Sequence, residues 1–233
     1  GAFTTNIMGT ANILEAARSV GGVKGIMCME SDKSYGSFEK NNLPYKETDA
    51  INPTNVYEIS KACSGLIANA YSNNYDMPVF TVRAANLYGP GDMNMSRLIP
   101  GSILRMLDGN NPVLYSGVAN YVREFLFVED ASNASIKLME NIEKTRANVF
   151  NIGSNSVHTI SDVMDAIIEK MPQKLSVEIV EKDLLFKEIE EQYVDSSKLL
   201  SIFPEFSPRS LDQGLSETID WYAKNRANLP RPV

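Results

Sequence analysis

The chain has little of what several function classes require. Of its 233 residues one is histidine and two are cysteine. His158 cannot by itself supply most zinc sites, and a Ser/His/Asp relay would have to form around it with no nucleophile motif beside it, so it reads as an ordinary surface or loop histidine. Cys28 and Cys63 fall in a strand-like and a helix-like stretch without Cys-x-x-Cys spacing, which makes a reducing, cytoplasmic setting the default expectation. No apolar run approaches the roughly 18 to 20 residues that cross a bilayer, and GAFTTNIMGTANILEAAR at the start lacks the basic and apolar blocks of a signal peptide. Positive charge is also in deficit. Lys and Arg number 22 against 29 Asp and Glu, a net charge of −7, so there is no broad basic surface for nucleic acid or an anionic membrane, and an anionic ligand must be met locally. No metal centre is expected.

What remains is a soluble, globular composition, with 43% apolar and 22% charged residues, large enough for an α/β domain with a smaller appendage. Ile7, Ala11 and Leu14 repeat at helical spacing from the first turn, and Gly21-Gly22 reads as the C-terminal cap. Val23 to Met29 is short and apolar, a buried strand. A loop with Pro44 and Pro53 leads to a helix through Ile59, Leu66, Ile67 and Ala70, and Pro78 to Asn86 reads as the next strand, ending at the turn YGPG. That alternation is the rhythm of parallel α/β structure. Further on, helices are expected over Arg97 to Gly109, from near a capping Asp130, after a capping Ser161, and in VDSSKLLSIF and SLDQGLSETIDWYAKN; Val149 to Gly153 reads as a strand. The charged run Glu181 to Glu191 reads as a solvated segment and LPRPV as a tail.

Tyr57 and Lys61 share a helix face, where an ammonium near a phenol favours the phenolate and lowers its pKa, as a tyrosine base near neutral pH requires. The same spacing is common on solvated helices, so position must decide. Ligands of open α/β sheets bind beyond the carboxyl ends of the strands. One strand runs into Glu30-Ser31-Asp32-Lys33 and the next ends at Arg83-Ala84-Ala85-Asn86, which puts two polar strand ends and the tyrosine helix on one sheet edge.

Motifs in one order carry a resemblance: N-x-x-G-T at Asn6 to Thr10, S-D-K-S-Y-G at Ser31 to Gly36, Y-x-x-x-K at Tyr57 to Lys61, R-x-x-N-x-Y-G-P-G at Arg83 to Gly91, R-L-I-P at Arg97 to Pro100, V-R-E-F-L-F-V-E-D at Val122 to Asp130 and F-N-I-G at Phe150 to Gly153. The chain resembles the extended short-chain dehydrogenase/reductases, the NAD-dependent nucleotide-sugar epimerases and dehydratases. The resemblance implies an incomplete Rossmann-like, doubly wound parallel sheet with a smaller α/β substrate domain. Residues 1–91 would hold the catalytic part of the NAD-binding domain, and 92–233 mainly the nucleotide-sugar domain, with some segments returning to the first sheet.

It also implies roles. Tyr57 would take the proton of the sugar C4 hydroxyl as hydride leaves for NAD, Lys61 would bind the nicotinamide ribose and depress the tyrosine pKa, and Ser31 would hydrogen-bond the same hydroxyl. At the next two positions 4-epimerases carry small neutral residues, whereas 4,6-dehydratases carry an acid and a second ionisable group. Asp32 is then the candidate acid for loss of water across C5 and C6, and Lys33 either the C5 base or the group that orients Asp32; the Asp-Lys pair, with E-Q-Y-V-D-S-S-K at Glu191 to Lys198, is similar to the CDP-glucose branch. Asn86, Arg97 and Arg123 match positions that meet the nucleotide diphosphate, a task suited to the guanidinium fork. Tyr88, Gly89 and Gly91 read as turn architecture, and Asn6, Gly9 and Thr10 as packing. Glu30 stands where relatives have Ser or Thr. No G-x-x-G-x-x-G follows a strand, so the resemblance implies a chain that begins after the pyrophosphate loop and binds NAD poorly on its own. The expectation is a nucleotide-sugar 4,6-dehydratase lacking its amino-terminal part. A 4-epimerase and a non-catalytic sugar-nucleotide binder are the alternatives, and a homodimer through helices near 5–20 and 56–75 is implied as well.

Overall fold

The computed structural model describes residues 1–37, 43–173, 175–181 and 188–229. A π-helical turn over Phe3–Met8 runs into α1 (Gly9–Val20), which stops where Gly21, at φ 69°, donates its N–H to Ala17 O. Strand β1 (Ile26–Met29) is shorter than the apolar run, because its parallel ladder starts only at Ile26. Helix α2 (Val56–Tyr75) begins in a capping box: Asn55 Oδ1 accepts the N–H groups of Tyr57 and Glu58, both at 3.0 Å, and Glu58 accepts that of Asn55. Then come β2 (Val79–Ala84), β3 (Asn86–Tyr88), α3 (Leu98–Leu107), β4 (Val113–Tyr115), β5 (Val122–Phe127), α4 (Val128–Glu140), the single turn α5 (Ile142–Thr145) and β6 (Val149–Ile152). The chain continues through β7 (Val157–Thr159), α6 (Ile160–Lys170), β8 (Glu178–Val180), β9 (Glu191–Gln192), α7 (Ser197–Leu200) and α8 (Leu211–Asn225).

The architecture is α/β with parallel strands, as expected. Strands β1, β2 and β6 form a parallel sheet in that order, with Met29 opposite Val82 and Val82 opposite Phe150. Period two sends Val79 with Cys28 into a cluster with Leu14 of α1 and Ala68 of α2, and Phe80 and Val82 into another with Ala134 and Leu138 of α4. Helices therefore cover both faces of this sheet. A second sheet pairs β3 parallel and β7 antiparallel with β5, and β9 joins β5 in parallel. Its flank is packed by α3, α6 and α8, whose Ile103, Ile167 and Leu215 are fully buried around Tyr88 and Phe127.

Four expectations change. The expected strand Pro78 to Asn86 is two strands: Ala85 still donates to Ile152 O on β6, but from Asn86 the chain pairs with β5, a change of partner that a continuous apolar pattern does not reveal. Asp130 does not cap a helix, because α4 starts earlier, at Val128, and its carboxylate instead takes the backbone N–H and guanidinium of Arg209. Thr159, not Ser161, caps α6, in a capping box with Asp162. The charged run lies partly outside the described residues, but its described end is not a solvated segment, since Ile189 is buried and Glu191 enters β9. Of the tail LPRPV, all but Leu229 lies outside the described residues.

Candidate active site

All eight expected site residues, Ser31, Asp32, Lys33, Tyr57, Lys61, Asn86, Arg97 and Arg123, line one cavity of about 600 Å³ beyond the carboxyl ends of β1 and β2. Local structure explains the first three. As β1 ends, Ser31 caps a 3-10 turn over Asp32–Tyr35 by accepting the N–H of Lys33 on its hydroxyl at 3.2 Å. The turn closes at Gly36, where φ is 71° and a Cβ would lie 1.8 Å from Asn52 O, so only glycine fits. The turn thereby holds Ser31, Asp32 and Lys33 in the lining of the cavity.

Asp32 is 2% exposed. Its Oδ1 accepts the Ser31 hydroxyl at 3.1 Å, and its Oδ2 has no hydrogen-bond partner among the described residues. Burial pushes this carboxyl above the ordinary carboxylate range, more than the nearby Lys33 charge lowers it. Lys33 departs in the other direction: withdrawal from water lowers its ammonium pKa, against the pull of Asp32. Its Nζ donates to Gln192 Oε1 at 2.5 Å, and Gln192 Nε2 donates to the main-chain carbonyl of Asp32 at 2.7 Å.

Tyr57 and Lys61 do share the helix face, but their geometry differs from the expected pair. Lys61 Nζ donates to Met29 O at 2.8 Å, at the end of β1. The Tyr57 phenol is raised, not lowered: desolvation dominates, the Ser31 hydroxyl opposes it and Asp32 adds to it. Helical spacing alone therefore does not depress the phenol. Lys61 also borders a second cavity, of about 320 Å³, between α1, β1 and α2, and among the described residues two of its three N–H groups have no hydrogen-bond partner.

Arg123 corrects a second expectation. One terminal nitrogen donates to Val122 O and Glu190 O, and the other to Glu188 and Ile189 O. With both tips of its fork spent on the chain entering β9, Arg123 is not an open bidentate phosphate ligand here. Arg97 is more open: its side chain is 57% exposed and, among the described residues, is tied to Asp92 at 3.0 Å. Arg97, Arg123 and Glu188 also border a third cavity, of about 510 Å³, that runs on to Arg105, Tyr115 and Tyr121. Asn86 donates to Glu124 O at 3.1 Å and lines the cavity.

Glu30 lies 3.1 Å from Arg83 Nε and is 3% exposed, packed so closely on α2 that a Cβ at Gly65 would lie 2.2 Å from its Oε2. Tyr88 is buried in the helical core, Asn6 of the π-helical turn donates to Ser60 on α2, and His158 on β7 meets Ser156. Glu188 and Gln192 are the site residues that the sequence alone did not single out. Their only signal was membership in segments otherwise read as solvated charge and branch likeness. Among the described residues no cluster of metal ligands occurs and no helix is long and apolar enough to cross a membrane.

The profile of the NAD dependent epimerase/dehydratase family matches residues 1–153. A trifunctional UDP-glucose 4,6-dehydratase/UDP-4-keto-6-deoxy-D-glucose 3,5-epimerase/UDP-4-keto-L-rhamnose-reductase of Arabidopsis thaliana is 30% identical over 94% of the chain, which spans 32% of that relative. A dTDP-glucose 4,6-dehydratase of Streptomyces griseus is 31% identical over 96% of the chain, which spans 66% of its length. The crystal structure of dTDP-glucose 4,6-dehydratase from Bacillus anthracis in complex with NAD superposes with a TM-score of 0.86 at 30% identity, over 97% of this chain and 70% of that one. The nucleotides in these names are UDP and dTDP, whereas the Asp-Lys pair resembles the CDP-glucose branch.

Proposed function

The chain belongs to the NAD dependent epimerase/dehydratase family, and on that premise we propose that it carries the catalytic centre of a nucleotide-sugar 4,6-dehydratase. One observation carries the choice within the family. Beside Tyr57 and Ser31, a buried carboxyl whose pKa is raised stands next to an amine whose pKa is lowered, so Asp32 is suited to hold a proton and Lys33 to lack one. Loss of water across C5 and C6 needs that combination, and inversion at C4 does not.

Tyr57 Oη takes the proton of the sugar C4 hydroxyl against the rise that burial gives its phenol, and the Ser31 hydroxyl, which opposes that rise, orients the sugar hydroxyl. A bound NAD would supply the acceptor for the C4 hydride and the source of hydride for C6. Lys61, with two N–H groups to spare, and Tyr57 hold the nicotinamide ribose end. Asp32, through the oxygen that has no partner among the described residues, gives a proton to the leaving C6 hydroxyl, and Lys33 Nζ takes the C5 proton and returns it to C5 when hydride reaches C6. Arg97 meets the diphosphate and Asn86 lines the sugar side. Arg123 forms the floor between them, and the nucleoside extends toward Tyr115 and Tyr121. Residues 1–91 serve the NAD side and 92–233 mainly the nucleotide-sugar side. A homodimer through α1 and α2 belongs to the same reading, supported by the exposed apolar side chains of Met8, Ile13, Leu66 and Tyr75.

The test is incubation of a form of the protein that holds NAD with UDP-, dTDP- and CDP-glucose. A 4-keto-6-deoxy product from at least one of them is the expected result; inversion at C4 without loss of water would make the protein an epimerase.

A further inference from the structure

Gln192 is fully buried on β9, and its two hydrogen bonds define the state in which it holds the neighbouring amine. The carbonyl of Asp32 can only accept, so the amide nitrogen of Gln192 must face it, at 2.7 Å. That leaves the amide oxygen for Lys33 Nζ, at 2.5 Å. An amide oxygen can only accept as well. Lys33 therefore spends an N–H on Gln192 in either protonation state, and when the amine is neutral its lone pair is left free of Gln192, at the edge of the space that Lys33 helps to line.

We propose that Gln192 is the positioning residue of this centre: it holds Lys33 by an N–H while leaving the lone pair free, and its carboxamide, unlike a carboxylate, permits the amine to lose its proton. The proposal rests on the reading of Lys33 as the C5 base. The register of the sheet delivers Gln192 to this point, because β9 pairs with β5 so that Gln192 stands opposite Arg123. Arg123 secures the arrangement by donating to the carbonyls of Ile189 and Glu190 just before β9. The charged groups around the amine come from four elements. Asp32 in the catalytic turn, Glu188 ahead of β9 and Glu58 on α2 favour the ammonium, whereas Arg123 on β5 and burial oppose it. A carboxylate at position 192 would add an anion at the shortest range and hold the proton on.

The experiment titrates Lys33 in the full chain by carbon NMR with labelled lysine, the resonance being assigned by its loss in K33R. Q192E is expected to raise the midpoint by about one unit or more, and Q192M, which removes the acceptor, to lower it. Opposite displacements by two substitutions of similar size are not what a packing role produces. A midpoint that both variants leave in place overturns the proposal; if Q192E fails to fold, the Q192M arm decides alone, and an unmoved midpoint there overturns it equally. The acid limb of dTDP-glucose turnover should follow the amine to higher pH in Q192E. If the amine moves and that limb does not, Lys33 is not the C5 base, whereas the hold of Gln192 on it stands.

Discussion

Asp32 and Lys33 are neighbours in the chain, yet each departs from its ordinary pKa in the direction that suits the opposite half of an elimination. Burial drives both, since it disfavours whichever form carries charge. Replacing Asp32 by asparagine keeps the shape of the neutral acid and removes only the transferable proton. D32N is expected to lower formation of the 4-keto-6-deoxy product by about 10²- to 10⁴-fold, the usual contribution of a positioned acid, with an unchanged thermal midpoint. Unimpaired turnover would remove Asp32 from the acid role. The identity of these residues was legible from motif order, but their electrostatics were not. The sign of the Tyr57 shift and the closed fork of Arg123 depend on burial and on carbonyls distant in sequence, such as Ile189 and Glu190, which no local pattern announces.

At the scale of elements, legibility followed local chemistry. Helix α8 starts after Ser210 as its capping box dictates, and α2 fills its apolar spacing, because caps and period 3.6 are written within a few residues. The change of sheet at Ala85 and the pairing of β4 with β8 were not legible, since each depends on a partner far along the chain. Helix α1 shows what periodicity leaves open: Leu14 is its one buried residue, while Ile13 is 66% exposed, and Leu66 on α2 is 57% exposed. Burying such side chains against a second copy would stabilise association by roughly 1.5 to 3 kcal/mol for each fully covered large apolar residue. Light scattering is expected to give a dimer mass for the protein and a monomer mass for the double variant I13E/L66E. A monomer in both, at concentrations well above the micromolar range, would remove α1 and α2 as the interface.

For the whole molecule, one buried carboxylate ties the second sheet to the chain ends that surround the site. Glu124 of β5 is 1% exposed and accepts the N–H groups of Asn155 at 2.7 Å and Val194 at 3.1 Å, so it joins the loop after β6 to the segment after β9. Burial raises its pKa from 4.5 to about 7, with the Asp32 charge adding to the rise and the two backbone donors resisting it. A carboxyl whose pKa is higher folded than unfolded binds more protons in the folded chain. Its stabilisation is therefore complete below the unfolded value and is lost as pH rises through the folded one. The displacement corresponds to roughly 3 kcal/mol, taking 1.36 kcal/mol for each unit. E124Q abolishes the titration and keeps the size, so the unfolding free energy of the wild type relative to E124Q is expected to fall by up to about 3 kcal/mol between pH 4 and pH 8. Urea unfolding across that range measures it, and a difference that does not vary with pH would show that Glu124 ionises as freely in the fold as out of it.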